Sequence, residues 1–160
     1  MQQLDAVVTQ VIDGIVKVTR MVKFSKCIDP ASDKQIDDLE RQVGLRFPSS
    51  LRRLFREANG GRPNPYIYRD DNNDTDVSEC LAICEGKGSA LWTYELLVLS
   101  KRLVPRQFFP FAVDSGGDCF FVDCSTTEGV VYLYVHDTAF EHVRLLSSSL
   151  ETFWSHLVDA

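Results

Sequence analysis

Ser115 lies in the stretch Val113-Asp114-Ser115-Gly116-Gly117-Asp118-Cys119, a serine between two carboxylates with a pair of glycines behind it. Three chemistries are open to such a stretch. Ser115 could be a nucleophile, as in the Gly-Asp-Ser-Gly-Gly-Pro loop of trypsin-like proteases. Asp114 and Asp118 could hold a metal. Or the stretch could be a tight turn between two strands. A nucleophilic serine needs a base within hydrogen-bond reach and a third group that orients the base. In trypsin-like enzymes these residues follow the chain order His, Asp, Ser. Here His136, His142 and His156 all come after Ser115, Asp118 replaces the proline, and 160 residues are few for a two-barrel protease. The turn is the better reading. Gly116-Gly117 supplies positive φ, and Asp114 and Ser115 bond to nearby backbone amides.

The metal readings fail on spacing. Asp70, Asn72, Asp74 and Asp76 fall at positions 1, 3, 5 and 7 of a calcium-loop template. Thr75, however, replaces the glycine that the sharp turn needs, and Leu81 replaces the bidentate glutamate. A solvated acidic loop fits better. Cys80 and Cys84 lack the paired C-x-x-C spacing of a zinc ribbon, and Cys119 and Cys124 would point to opposite faces of a straight strand. The cysteines read as small hydrophobes. No catalytic residue, metal ligand or cofactor is assigned.

The composition narrows the remaining classes. A chain of 160 residues with 44% hydrophobic and 25% charged residues is expected to form one globular domain, 1–160. Its net charge of −6 disfavours nucleic acid, which needs a basic footprint, and suits a basic protein partner. No window is apolar enough to span a membrane. The opening residues lack a basic leader, and Asp5 and Asp13 interrupt their apolar run. The expectation is a cytoplasmic protein with Cys27, Cys80, Cys84, Cys119 and Cys124 reduced.

These side chains must be positioned by elements that the patterning outlines. Leu4, Val7, Val8, Val11, Ile12, Ile15, Val18 and Val22 predict a helix over 3–23, an extra N-terminal helix within 1–30. A second helix starts at Ser32, with Gln35 at capping-box spacing, and stops at Gly44. Pro48 opens a third, which buries Leu51, Leu54, Phe55 and Ala58 and ends at Asn59-Gly60-Gly61, where Asn and Gly tolerate the left-handed conformation. Residues 62–90 read as a variable acidic insert, with one strand at Tyr66–Arg69 and a loop at Asp70–Asp76. Leu91–Leu99 predicts a strand, with another at Leu81–Cys84. Cys119–Cys124 and Val130–Val135 predict a hairpin in which Val122 pairs with Val131. That register puts Phe121, Tyr132 and Tyr134 on one face. Glu141–Leu146 is the next strand, and Ser148–Leu157 a closing helix capped by Ser148. Helices first and strands later predict α+β: a central antiparallel sheet packed with helices from the N-terminal half and a C-terminal helix.

Two blocks carry a resemblance. Ser32–Gly61 contains Ile36, Glu40, Gly44, Phe47-Pro48 and Asn59-Gly60-Gly61. Phe109–Leu157 contains Pro110-Phe111, Asp114, Gly116-Gly117-Asp118, Val131-Tyr132, His136-Asp137, Leu150 and Phe153. In order and spacing these resemble the SUKH superfamily, typified by the Smi/Knr cell-wall regulators of fungi. The resemblance implies no catalytic residues. It implies an immunity protein, as most bacterial members are, which binds and neutralises a cognate toxin domain, often a nuclease. The alternative it implies is a non-catalytic scaffold of the Smi/Knr signalling type. For a partner surface the candidates are Asp70, Asp71, Asp74, Asp76 and Glu79, with Asp114 and Asp118 in the turn and the hairpin aromatics Tyr132 and Tyr134.

Overall fold

The structure, a computed structural model, describes residues 7–12 and 15–160, with side chains from residue 21 onward. Its first elements overturn an expectation. Within the stretch predicted as a helix, β1 (Val7–Ile12) and β2 (Ile15–Arg20) form an antiparallel hairpin that pairs Val11 with Val16 and Ile12 with Ile15. The remainder of that predicted helix before residue 7 and at 13–14 lies outside the described residues. The physical reason is side-chain branching. Val and Ile are stiff at χ1 and fit a pleated strand, and Asp13-Gly14 is a two-residue hairpin signal in the sequence. β3 (Lys23–Ser25) follows.

The helical half forms as its caps dictate. α1 (Asp33–Val43) begins with Ser32 Oγ accepting from the Gln35 amide at 3.1 Å while Gln35 Oε1 accepts from the Ser32 amide at 2.9 Å. Gly44 closes it at φ +71°. Between α1 and α2 (Ser49–Ala58), Glu40 acts as a clamp. Its Oε1 accepts from the Phe47 amide at 2.8 Å and its Oε2 pairs with Arg52 at 3.0 Å. Arg52 also reaches Asp37 at 2.8 Å. At the end of α2 the left-handed residue is Gly60 (φ +71°), whereas Asn59, expected there too, keeps φ −56°. Asn59 is used through its amide instead. Its Nδ2 donates to the carbonyls of Asp29 and Ile83, and its Oδ1 accepts from the Ile83 amide at 2.8 Å. A Cβ on Gly60 would stand 2.9 Å from Ala82 Cβ, so this junction needs both the conformation and the space.

Short strands follow: β4 (Arg62–Asn64), which pairs with β3, then β5 (Ile67–Arg69) and β6 (Asp74–Asp76), which pair with each other. Three of the seven residues of the predicted acidic loop, Asp74–Asp76, are therefore strand. β7 is Glu79–Cys80 rather than Leu81–Cys84. The strand predicted at Leu91–Leu99 is a helix, α3 (Ala90–Tyr94), continued by a π-helical turn through Glu95–Ser100. Ser89 Oγ caps it by accepting from the Trp92 amide at 3.1 Å. Ala90, Thr93, Tyr94 and Val98 are buried at helical spacing, and that packing overrides the β-propensity of the run.

The central sheet contains β7, β8 (Phe108–Val113), β9 (Cys119–Asp123), β10 (Val130–Tyr134) and β11 (Val143–Ser147), antiparallel throughout in the order β11-β10-β9-β8-β7. Val131 pairs with Val122 as predicted. α4 (Leu150–Ser155) is capped by Ser149, not Ser148, because Ser149 Oγ accepts from the Thr152 amide at 3.0 Å. Leu157 leaves the helix for β12 (Leu157–Val158), which pairs with β5. Aromatic rings join the layers. Phe109 on β8 meets Phe47 at 4.6 Å and Tyr94 at 5.4 Å, and Phe153 on α4 meets Tyr68, Phe111 and Phe120 at 5.0–5.5 Å. The architecture is α+β, with helices from the N-terminal half and α4 packed around an antiparallel sheet.

Candidate functional site

The Ser115 stretch joins β8 to β9 as a turn. The Asp114 amide donates to the Asp118 carbonyl at 3.0 Å, and Gly117 takes φ +96°. Asp114 Oδ1 accepts from the amides of Gly116 (2.9 Å) and Asp118 (2.8 Å), while Oδ2 accepts from Thr75 Oγ1 at 3.1 Å. Ser115 is bound from β6: its amide and its Oγ both donate to the Asp76 carboxylate, at 3.0 and 2.8 Å. On the opposite side Asp118 Oδ1 accepts from the His136 amide at 3.0 Å and pairs with the imidazole Nδ1. Ser115 Oγ thus donates to a carboxylate, and the adjacent imidazole is engaged by a different carboxylate. A nucleophile needs its hydroxyl on the base. This geometry is a latch that ties β6 and the end of β10 to the β8–β9 turn.

The acidic segment divides in two. Asp70 is half-buried and caps its own loop, with Oδ1 accepting from the amides of Asn72 and Asn73 at 2.8 Å. The single hydroxyl proton of Tyr68 is shared between Asp70 Oδ2 (2.9 Å) and the Leu146 carbonyl (2.8 Å). Burial by itself would raise the pKa of Asp70. The bonds from Asn72, Tyr68 and Asn73 outweigh it and hold the carboxyl below its usual range. Burial, then the hydrogen bond to Asp70 and its charge, pushes the Tyr68 phenol up. Asp76 is half-buried and committed to Ser115. Asp71, Asp74 and Glu79 are exposed, and Asp74 pairs with Arg69 at 2.9 Å. Tyr132 is half-buried and stacks on Phe108 at 4.6 Å. Tyr134, also half-buried, stacks on His142 at 5.6 Å.

Cys27 and Cys84 are exposed, so the reading of the cysteines as small hydrophobes holds for Cys80 and Cys119 and fails for Cys84. Cys80 and Cys119 are buried, and burial raises both well above the ordinary thiol value; burial also pushes Cys124 up to about 12. All five are free, and among the described residues no group of His, Cys, Asp and Glu has metal-site geometry. No described helix is long and apolar enough to cross a membrane.

One surface escaped the sequence reading. Phe140 is 81% exposed, Leu145 62% and Val143 38%. All three border an open groove of about 1050 Å³ whose other walls include Asp70, Asn72, Asn73, Glu141 and Arg144. Val143 and Leu145 pair with Tyr134 and Tyr132, which makes them neighbours of the hairpin aromatics on one face. β11 is an outer strand of its sheet. Alternating Val143 and Leu145 read as an ordinary strand; that this strand lies at the edge is decided by strand order, which no local pattern carries.

The model of the SMI1 / KNR4 family (SUKH-1) matches residues 30–156, which takes in the first motif block, the second up to His156, the acidic segment and the latch. No curated protein matches the chain.

Proposed function

Because the chain belongs to the SMI1 / KNR4 family (SUKH-1), we propose that it is a non-catalytic immunity protein that binds and neutralises a toxin domain, a basic nuclease being the partner its charge fits best. The observation that carries this reading is how the polar motif residues are used. Glu40, Asn59 and Asp118 hold backbone amides or carbonyls of neighbouring segments, and Asp114 holds the amides of its own turn and the Thr75 hydroxyl. Such residues build a frame. They leave recognition to side chains outside the motifs. The exposed carboxylates Asp71, Asp74 and Glu79, with Asp70 and Asp76 behind them, offer negative charge on a chain of net charge −6. A nuclease must hold phosphates in a basic cleft, and an acidic protein competes for that cleft and is drawn to it quickly. Speed matters, since the inhibitor has to arrive before the toxin cuts.

The test is genetic and biochemical. The gene for this chain is expected beside one for a large toxin, and the chain should rescue cells that express the C-terminal domain of that toxin. Ser115→Ala should rescue as well as the parent. A folded Ser115→Ala protein that binds the toxin domain but no longer protects would overturn the non-catalytic reading. A chain that rescues from no neighbouring toxin and binds several unrelated proteins is a signalling scaffold instead.

A further inference from the structure

We infer that the β11 edge is a docking site for an extended, basic and apolar segment of a protein partner, added as a further strand beside Val143–Ser147. The inference rests on the protein-binding reading above and names the surface and the chemistry it selects. Three observations converge on it. First, among the described residues β11 pairs with one strand only, β10, and apart from the Leu146 carbonyl, which accepts from the Tyr68 hydroxyl at 2.8 Å, no strand covers its other edge. An open edge presents a row of amides and carbonyls that matches one kind of ligand, another extended backbone. Second, Phe140, Val143 and Leu145 are exposed around this same edge. Exposed apolar side chains in a cluster, beside a strand edge, supply the hydrophobic contact that hydrogen bonds alone do not.

Third, the groove beside them carries two carboxylates, Asp70 and Glu141, against one guanidinium, Arg144. Asp70 is held in its charged form by its hydrogen bonds from Asn72, Asn73 and Tyr68. A segment that alternates apolar residues with lysine or arginine sets its apolar side chains against Val143 and Leu145 and its cations toward Asp70 and Glu141. An acidic segment meets repulsion at the same place. The fold guards this edge lightly. A register shift at Val131/Tyr132 bends the β10–β11 ladder, and Arg144 puts a charge on the strand. These devices discourage nonspecific pairing without covering Phe140 and Leu145.

The probe is a synthetic hexapeptide, acetyl-Lys-Val-Arg-Val-Lys-Ile-amide, titrated into the 15N-labelled full chain and followed by amide shifts. Saturable shifts at Val143, Arg144, Leu145 and the adjacent Asn72 and Asn73 are expected. A version with glutamate at the three basic positions should bind at least about tenfold more weakly. Leu145→Lys alters an exposed side chain and should leave the spectrum folded while removing the peptide shifts. The proposal is overturned by an absence of shifts at β11, by shifts that survive Leu145→Lys, or by equal binding of the acidic peptide. It is overturned equally if sizing by light scattering shows that two copies of the parent chain pair through this edge. A second arm uses the toxin domain encoded beside the gene. Rescue by the parent but not by Leu145→Lys supports β11 as the docking surface. Equal rescue by both leaves the immunity reading intact and removes β11 from it, whereas failed rescue by the parent rejects the immunity reading and leaves the peptide result to stand by itself.

Discussion

Asp114 uses both carboxylate oxygens, one for the amides of its turn and one for the Thr75 hydroxyl on β6, so its removal has a definite cost. Asp114→Ala strands the amides of Gly116 and Asp118 and the hydroxyl of Thr75. A denaturant midpoint should report a loss of about 1–3 kcal/mol, with Asp114→Asn closer to the parent because one oxygen remains to accept the amides. Asp70 gives a pH prediction. Its folded pKa lies below the ordinary carboxyl range despite burial, because Asn72, Tyr68 and Asn73 donate to the ionised form. A depressed folded pKa contributes stability that is present above the unfolded value, about 4, and lost as pH falls through the folded value. Asp70→Asn should therefore flatten the acid limb of the stability curve below about pH 4 while leaving its shape unchanged near neutrality. A parallel acid limb in parent and variant would show that Asp70 gains nothing from these bonds.

At the scale of elements, α4 is the fastener of the sheet. Phe153 is fully buried between Tyr68, Phe111 and Phe120, and Phe153→Ala should cost about 3–5 kcal/mol. Trp154 is half-buried, and its ring meets Phe24 at 5.3 Å and Phe111 at 5.9 Å. It ties β3 to the core, and Trp154→Ala should cost at least about 2 kcal/mol. Chemical denaturation checks both. A Trp154→Ala midpoint equal to that of the parent would mean that its ring contacts do not stabilise the fold.

For the whole molecule the consequence is kinetic. Asp71, Asp74 and Glu79 are exposed, so Asp71→Asn, Asp74→Asn and Glu79→Gln together should change stability by no more than about 0.5 kcal/mol each. Their field reaches about 8 Å at physiological ionic strength. If they steer a basic toxin domain, the triple variant should associate more slowly with little change in dissociation, and the parent rate should fall as salt is added. Stopped-flow mixing across a salt series measures both. Equal association rates and salt slopes would leave these carboxylates without a steering role.

The sequence by itself determined the signals that act within a few residues. Ser32 with Gln35 is a capping box, Gly44 a left-handed stop, and Gly116-Gly117 a turn between strands, each because the bonding partners are neighbours in the chain. The Val122–Val131 pairing was legible for the same reason, since the hairpin turn fixes it. Where two local patterns competed, packing chose in one stretch and side-chain branching in the other. Leu91–Leu99 has strand-forming residues but forms helical turns, because Tyr94 and Val98 find burial there; in Val7–Ile12 and Ile15–Arg20 it is instead the β-branched residues that favour strands over the helical spacing. Only the tertiary structure decided what the carboxylates do. Asp76 meets Ser115 across 39 positions of sequence, and Asp118 meets His136 across 18. The sequence shows a row of acids, and the fold separates those that latch a turn from those that face solvent. Strand order likewise puts β11 on an edge and brings Asp70 beside it, a relation between residues more than seventy positions apart in a chain of 160 that no local spacing encodes.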